Sequence, residues 1–236
     1  MPGVTGDGCD DAGGRTGDGC DDAGCRTGDG CDDGRMDTLT TDRLLLREWT
    51  HADADFVFDL YSRWDVQRYI GREPRVMAER SQAEQRIAQW RAMEHPLHGI
   101  WAVEGPDGLV GSLLLKSIPA SGERTPPLPS GDTEIGWHFH PDAWGHGYAT
   151  EAAVAVRDRA FARGLERIVA VTNPSNIASQ RVCLRLGMTH EGPTDQYYDE
   201  TCELFTLSTP GGVRVSGVVS ATTVASTPRA VNTPRH

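Results

Sequence analysis

Between residues 39 and 207 the apolar positions follow two periods, close to two in some stretches and close to 3.6 in others, and the switches mark the expected elements. Residues 43–49, RLLLREW, read as a strand. Thr50 with Asp53 three residues later gives a capping-box-like helix start, and Phe56, Val57, Leu60 and Tyr61 supply its apolar face. A second helix is expected over residues 79–93, with Ala83, Ile87 and Trp90 on one side. Residues 100–103 and 109–115 are apolar strands joined through GPDG at 105–108, the composition of a hairpin turn. A Pro-rich loop follows at 119–131. Residues 134–140, EIGWHFH, then alternate as a strand that Pro141 ends.

The next helix is expected over residues 150–163, where Ala149, Ala153, Val156 and Ala160 form an apolar stripe, Arg157, Asp158 and Arg159 lie off it, and Gly164 stops it. A strand at 167–172 leads to a helix at 176–186, with Ala178, Val182 and Leu186 facing inward and Gly187 as its cap. Two strands near 188–191 and 202–207 complete an α/β chain of the α+β kind with a mixed sheet.

Neither end shares this patterning. Residues 5–35 repeat an eleven-residue unit, TGDGCDDAGGR in its first copy, with no Val, Leu, Ile or aromatic residue. A segment that cannot bury apolar surface is expected to be disordered. Its three Arg against nine Asp account for −6 of the chain's net charge of −11, so the acidity is largely a property of this tail. Four of the six cysteines, Cys9, Cys20, Cys25 and Cys31, lie in the repeat without a C-x-x-C pair or a neighbouring His, which argues against zinc. Its Asp clusters lack the alternation and closing Glu of an EF-hand, which argues against calcium. An eleven-residue unit is also what a translated short tandem DNA repeat produces, so Met36 is a candidate true start. Residues 208–236, rich in Ser, Thr, Val and Pro, are expected to form a second disordered tail. The domain is therefore expected at residues 36–207. With no apolar run near membrane length and no signal-peptide core, the expectation is a soluble cytoplasmic protein, with neither membrane nor nucleic acid as partner.

The chemistry concentrates in two segments. In WGHGYATE, residues 144–151, two glycines one residue apart stand at the foot of an Ala-rich helix. Glycine disfavours helix, so its value there is conformational: a strand, a Gly turn and a helix start present backbone N–H groups and the positive end of a helix dipole to an anion. The spelling is neither G-x-x-x-x-G-K-[ST] nor G-x-G-x-x-G, because the sixth position counted from Gly145 is Thr150. A plain strand-to-helix turn explains the glycines as well. In the second segment Asn176, Ser179 and Cys183 fall at i, i+3 and i+7 of one helix, a polar face that either borders the same cleft or serves for capping.

Together EIGWHFHPDAWGHGYATEA (134–152) and NIASQRVCLRLGM (176–188), with TDRLLLREW (41–49) as opening strand, resemble the GNAT superfamily of acetyl-CoA-dependent N-acetyltransferases, most closely its RimJ/RimL branch. The likeness spans residues 39–207. It implies a central, mostly antiparallel seven-stranded sheet flanked by about four helices. It also implies that Gly145, His146, Gly147, Tyr148, Ala149 and Thr150 hold the coenzyme A pyrophosphate, and that the backbone of Trp137, His138 and Phe139 pairs with the pantetheine arm. Asn176 is implied to bond that arm or a water beside it, and Ser179 to assist the leaving thiolate. Trp144 stands where the superfamily often has Arg or Gln. The related RimI branch carries a Tyr acid and a Glu base where this chain has Cys183 and Val171, so that pair is absent.

The expected reaction is acetyl transfer from acetyl-CoA to an amine, a protein N-terminus or a small molecule, by direct attack in a ternary complex. The rival reading is a non-catalytic acyl-CoA-binding or sensing module. The attacking ammonium must first lose a proton, and Glu134, on one strand face with Gly136 and His138, is the expected base, with Glu191 and Asp195 as alternatives. His138 and His140 share a face without a third ligand nearby, so no metal is expected, and Cys183 is read as packing. Asp195, Tyr197 and Tyr198 either line the acceptor side or belong to an ordinary polar loop. The oligomeric state is left open, a homodimer included.

Overall fold

The computed structural model describes residues 36–122 and 126–209; both expected tails, apart from Ser208 and Thr209, and residues 123–125 of the Pro-rich loop lie outside the described residues. Among the described residues eight strands form one sheet: β1 (Leu39–Thr40), β2 (Leu45–Arg47), β3 (Gly99–Gly105), β4 (Gly108–Pro119), β5 (Pro129–Phe139), β6 (Arg167–Thr172), β7 (Thr189–Thr194) and β8 (Cys202–Ser208). Their order is β1-β2-β3-β4-β5-β6-β8-β7, and every neighbouring pair is antiparallel except β5 and β6. The α-helices are α1 (Ala54–Ser62), α2 (Trp64–Gln67), α3 (Arg80–Arg91), α4 (Tyr148–Ala162) and α5 (Ile177–Arg185). The expected seven strands and four helices thus become eight and five, the additions being the two-residue β1 and the four-residue α2.

The period of two sorts the sheet residues onto two cores. Trp101 and Val103 of β3, Leu113 and Leu115 of β4, and Ile135 and Phe139 of β5 pack with Ala152, Ala153, Val156 and Ala160 of α4. Their alternates Ile100, Ala102 and Leu114 pack with Val57, Leu60, Ala83 and Ile87 of α1 and α3. The Asp53 expected to cap α1 does accept from the Thr50 N–H at 2.7 Å, but it closes a short 3-10 turn, His51–Asp53, that precedes the helix.

Several boundaries and faces differ from the expectation. β5 begins at Pro129, inside the predicted loop, because its first residues pair with the end of β4, Ser117 with Thr133 and Pro119 with Pro129. On α4 the buried position is Ala152 and not Ala149, and Arg159, placed off the apolar stripe, keeps only 8% of its side chain exposed. On α5 Ala178, expected to face inward, is exposed, while Cys183, on the expected polar face but read as packing, is buried. Ser208, assigned to the tail, pairs with Arg167, and the Thr209 N–H donates to the Glu166 carbonyl at 2.9 Å.

The Arg159 guanidinium lies over the Trp101 ring at 5.5 Å and is met by Asp37, whose carboxylate accepts from Nε at 2.8 Å. Asp37 also pairs with Arg163 and takes the Trp101 indole N–H on its carbonyl at 2.9 Å. Removing the partner of a buried charge costs more than the pair contributes. Asp37→Ala is therefore expected to lower the unfolding free energy by about 1–3 kcal/mol, read from the midpoint of urea unfolding.

Candidate active site

The parallel pair β5 and β6 meets at one position, Glu134 opposite Val169. β6 pairs along its whole length with β8, and β5 with β4, so past that point the two halves of the sheet part and leave a V-shaped gap. A cleft of about 1280 Å³ occupies this gap and extends under α1 and α3. Gly136, Trp137, His138 and Phe139 line it from β5, and Ala170, Val171 and Thr172 from β6. Thr172 lines the gap as a residue, and its Oγ1 is a buried atom without a hydrogen-bond partner among the described residues.

At the wide end of the V lies the glycine turn. Pro141 ends β5 and opens a short 3-10 turn, and the chain then passes through Gly145 and Gly147, both at φ 82°, before α4 starts. A Cβ at Gly145 would meet nothing within 4 Å, and one at Gly147 only Arg43 Nη2 at 3.6 Å. The backbone conformation, not lack of space, is what calls for glycine here. No backbone acceptor takes the N–H groups of residues 145–149 among the described residues. Those of Thr150 and Glu151 both donate to the Gly147 carbonyl at 3.1 Å, so the predicted donor set ends one residue before Thr150.

Two arginines that the periodicities did not single out frame this turn. Arg43 donates to the His146 carbonyl at 3.1 Å, lies over the Tyr148 ring at 4.9 Å and pairs with Glu151. Burial disfavours the Glu151 carboxylate, yet the hydrogen bonds from Thr41 and Arg43 and the Arg43 charge hold its pKa below the usual range. Arg185 of α5 donates to the Thr150 hydroxyl at 3.1 Å and lines the cleft beside the turn. Trp144 is tied back by its indole N–H to the Phe139 carbonyl at 2.8 Å, and His146, stacked on Tyr148, lies outside the cleft lining.

α5 presents its first turn to the same cleft. Asn176 is its N-cap, with Oδ1 accepting the Ser179 N–H at 3.2 Å, so the capping reading is realised and both residues also line the gap. Cys183 is fully buried, and burial pushes its thiol up to about 12, far from a nucleophile or an acid at neutral pH. Cys183→Ala is expected to lower stability by about 1 kcal/mol and to leave turnover unchanged, in parallel melting and rate assays.

At the closed end of the V, Glu134 is buried, 8% exposed. Its Oε2 accepts from the Tyr198 hydroxyl and lies 3.4 Å from Lys116 Nζ, and Lys116 also donates to Tyr198 Oη at 2.7 Å. Burial raises the Glu134 pKa, with the Lys116 charge and the Tyr198 hydrogen bond opposing that rise. Further along the same face His138 Nδ1 contacts the Tyr61 hydroxyl at 2.9 Å, and burial takes His138 down to about 4, so the ring is neutral at neutral pH. His140 leaves the strand and meets Asp59 of α1 at 3.0 Å. Of the residues expected at the acceptor side only Tyr198 lines the cleft; Tyr197 is buried against Asp132 at 2.7 Å, and Asp195 and Glu191 lie outside the lining. Lys116, Tyr61 and Glu200 do line it, and Glu200 Oε1 is a buried oxygen without a partner among the described residues. Their local sequence carries no signal for this, because their partners lie in distant segments.

Among the described residues no group of three or more His, Cys, Asp or Glu could hold a metal ion, and no helix is long and apolar enough to cross a membrane.

Comparison with known proteins agrees with this geometry. The sequence model of the family described as Acetyltransferase (GNAT) domain matches residues 43–189. A Bacillus subtilis protein described as the uncharacterized N-acetyltransferase YoaA is 35% identical over 163 residues, 67% of this chain and 86% of its own length. Among solved structures, a GNAT-family acetyltransferase from Bacillus anthracis superposes with a TM-score of 0.57 at 26% identity, covering 72% of this chain and 95% of its own. The ribosomal L7/L12 α-N-protein acetyltransferase RimL, solved in complex with coenzyme A, shares the fold with a TM-score of 0.60 at 15% identity, covering 73% of this chain and 98% of its own. A sequence match over more than half the chain, on a sheet that parts beside a glycine turn, makes this chain a member of the GNAT family of acetyltransferases.

Proposed function

We propose that the chain transfers an acetyl group from acetyl-CoA to a primary amine, by direct attack within a ternary complex, as a relative of the RimJ/RimL branch. The observation that carries this reading is the parting of β5 and β6 beyond the single Glu134–Val169 pair. An unpaired strand edge offers backbone donors and acceptors to an extended amide-bearing arm. The pyrophosphate of coenzyme A suits the wide end, where the free N–H groups of residues 145–149, the start of α4 and Arg185 converge. From there the pantetheine arm runs along Trp137, His138 and Phe139, with Thr172 and Asn176 lining the same cleft. The strand distance from Phe139 to Glu134 is about 17 Å at ~3.3 Å per residue, so an arm of that reach brings its thioester to the closed end of the V.

There the acceptor nitrogen loses a proton to the Glu134 carboxylate and attacks the acetyl carbonyl carbon. A C–N bond forms, the C–S bond breaks, and the thiolate leaves beside the Ser179 hydroxyl, taking up the second proton that the nitrogen releases as the amide forms. Both protein N-termini and small amines fit this chemistry. Likeness of fold does not choose between them. A screen of N-terminal peptides and small amines with acetyl-CoA, read by mass spectrometry, is expected to yield an N-acetylated product. Coenzyme binding with no acetylation of any amine would instead establish an acyl-CoA-binding module. Ser179→Ala is expected to lower kcat by about tenfold, an effect that persists at high pH because the hydroxyl serves the leaving group and not the amine.

A further inference from the structure

The proposed reaction leaves two groups at the closed end of the cleft unused, Lys116 and Tyr198. We propose that they are positioning residues, which together hold Oε2 of Glu134 and thereby aim Oε1 of the same carboxylate at the acceptor amine. This rests on the reading of Glu134 as proton acceptor.

The backbone supplies the first observation. Tyr198 and Asp199 have φ of 61° and 56°, the left-handed region that a bulky aromatic residue seldom adopts. Such a conformation persists only where the surroundings over-determine it. Here they do: the Asp199 N–H donates to Ser121 Oγ at 2.9 Å, Asp199 Oδ1 accepts from the Gly122 N–H at 2.7 Å, and the Ser121 N–H donates to the Gln196 carbonyl at 2.8 Å. Tyr197 pairs with Ala120 as an isolated bridge and anchors its hydroxyl on Asp132. The loop between β7 and β8 is thus strapped to the end of β4 and the start of β5.

What the strapping achieves is the placement of one side chain. Lys116 and Glu134 are register partners on β4 and β5, close enough to pair without any third group. Tyr198 is nonetheless brought over Lys116, with Nζ 5.2 Å from the ring centre, and its hydroxyl bridges the two, accepting from Lys116 and donating to Glu134 Oε2. Oε2 is engaged by both neighbours, whereas Oε1 has no hydrogen-bond partner among the described residues and belongs to a residue that lines the cleft. A carboxylate anchored by one oxygen and open at the other can receive a proton without moving.

The charged and titratable surroundings are consistent with this role. Lys116 acts on Glu134 from β4, Tyr198 from the loop and Cys202 from β8; Glu200 and His138 line the same cleft, Tyr61 of α1 and Arg86 of α3 act on His138, and β6 contributes Val169 and Val171. Burial, then the Glu134 charge, raises the Tyr198 phenol well above its ordinary value, so it stays a donor. Burial keeps His138 neutral and pushes Cys202 up to about 11. Lys116 and Tyr198 are the groups that hold the Glu134 pKa down against burial, so losing either raises it.

The test is a carbon NMR titration of the full chain with labelled glutamate carboxyls, Glu134→Gln identifying the Glu134 signal, alongside pH–rate profiles. Tyr198→Phe and Lys116→Met are each expected to raise the proton affinity of Glu134 about tenfold and to move the ascending limb of kcat/KM to higher pH, with KM for acetyl-CoA unchanged. Lys116→Arg is expected to restore the wild-type titration. Should Lys116→Met fail to fold, Tyr198→Asn decides, since Asn tolerates the left-handed backbone but lacks the hydroxyl contact. A Glu134 titration that coincides with wild type in the Tyr198 variants overturns the proposal. Moved titrations in a chain that acetylates no amine support the positioning and remove the proposed reaction, so the two failures are told apart.

Discussion

Gly147→Glu is expected to abolish coenzyme A binding in a chain that still folds. Gly147 stands at φ 82° as the N-cap of α4, and a side chain there costs about 1–2 kcal/mol, a fraction of the ~5–15 kcal/mol that holds a domain together. Space does not oppose it, since a Cβ at this position would have only Arg43 Nη2 nearby, at 3.6 Å. The damage is electrostatic. A carboxylate at this point takes the place of the phosphate before the N–H groups of residues 145–149 and competes with Glu151 for Arg43. The pyrophosphate then meets a like charge where it had donors, and a loss of about 100-fold or more in affinity, about 2.7 kcal/mol or more, is expected by calorimetry. Gly147→Ala serves as the comparison: it carries the same backbone strain without the charge and is expected to bind within about tenfold of wild type. Unchanged affinity in the Glu variant, with melting confirming the fold, would remove the turn from the coenzyme site.

Glu134→Gln is expected to cut kcat on the order of 10²-fold near neutral pH, and by much less at high pH. The acceptor arrives as an ammonium, and an amide cannot take its proton; once the solution has removed that proton, the amide is no handicap. The Gln carbonyl still accepts from Tyr198, so the variant keeps the local geometry while losing the charge beside Lys116. Because burial raises the Glu134 pKa, the carboxylate stays protonated to a higher pH than an exposed glutamate. The ascending limb of the wild-type profile should accordingly lie above the ordinary carboxylate range, and Glu134→Gln should erase that limb. If the variant keeps a wild-type profile, Glu134 is structural. The search for the base then passes to Glu200, a residue of the cleft lining, since Glu191 and Asp195 do not line it.

Local pattern alone determined much of this chain. The apolar run of Ile100 to Val103, the alternation of Glu134 to Phe139, the 3.6-residue stripe of Ala153, Val156 and Ala160, and the paired glycines before α4 each signal an element or a turn within a few residues of themselves. Their order and spacing sufficed to reach the family, because a glycine turn and a capped helix are local constructions. Short elements escaped for want of length: two residues of β1 and four of α2 complete no period. The beginning of β5 escaped because its polar and Pro-containing residues extend only by pairing with β4.

Only the tertiary structure decided what lies between segments. Glu151 meets Arg43 across 108 positions, Tyr198 meets Glu134 across 64, and Arg159 meets Asp37 across 122. Such pairs leave no period, and each partner alone reads as an ordinary surface charge or loop tyrosine. The single ladder pair Glu134–Val169 is of the same kind: β5 and β6 both look like regular strands, and how far they pair is set by the partners each holds on its far side, β4 and β8. A strand's own residues specify which of its faces is buried; how far it stays beside a neighbour is specified by the rest of the sheet.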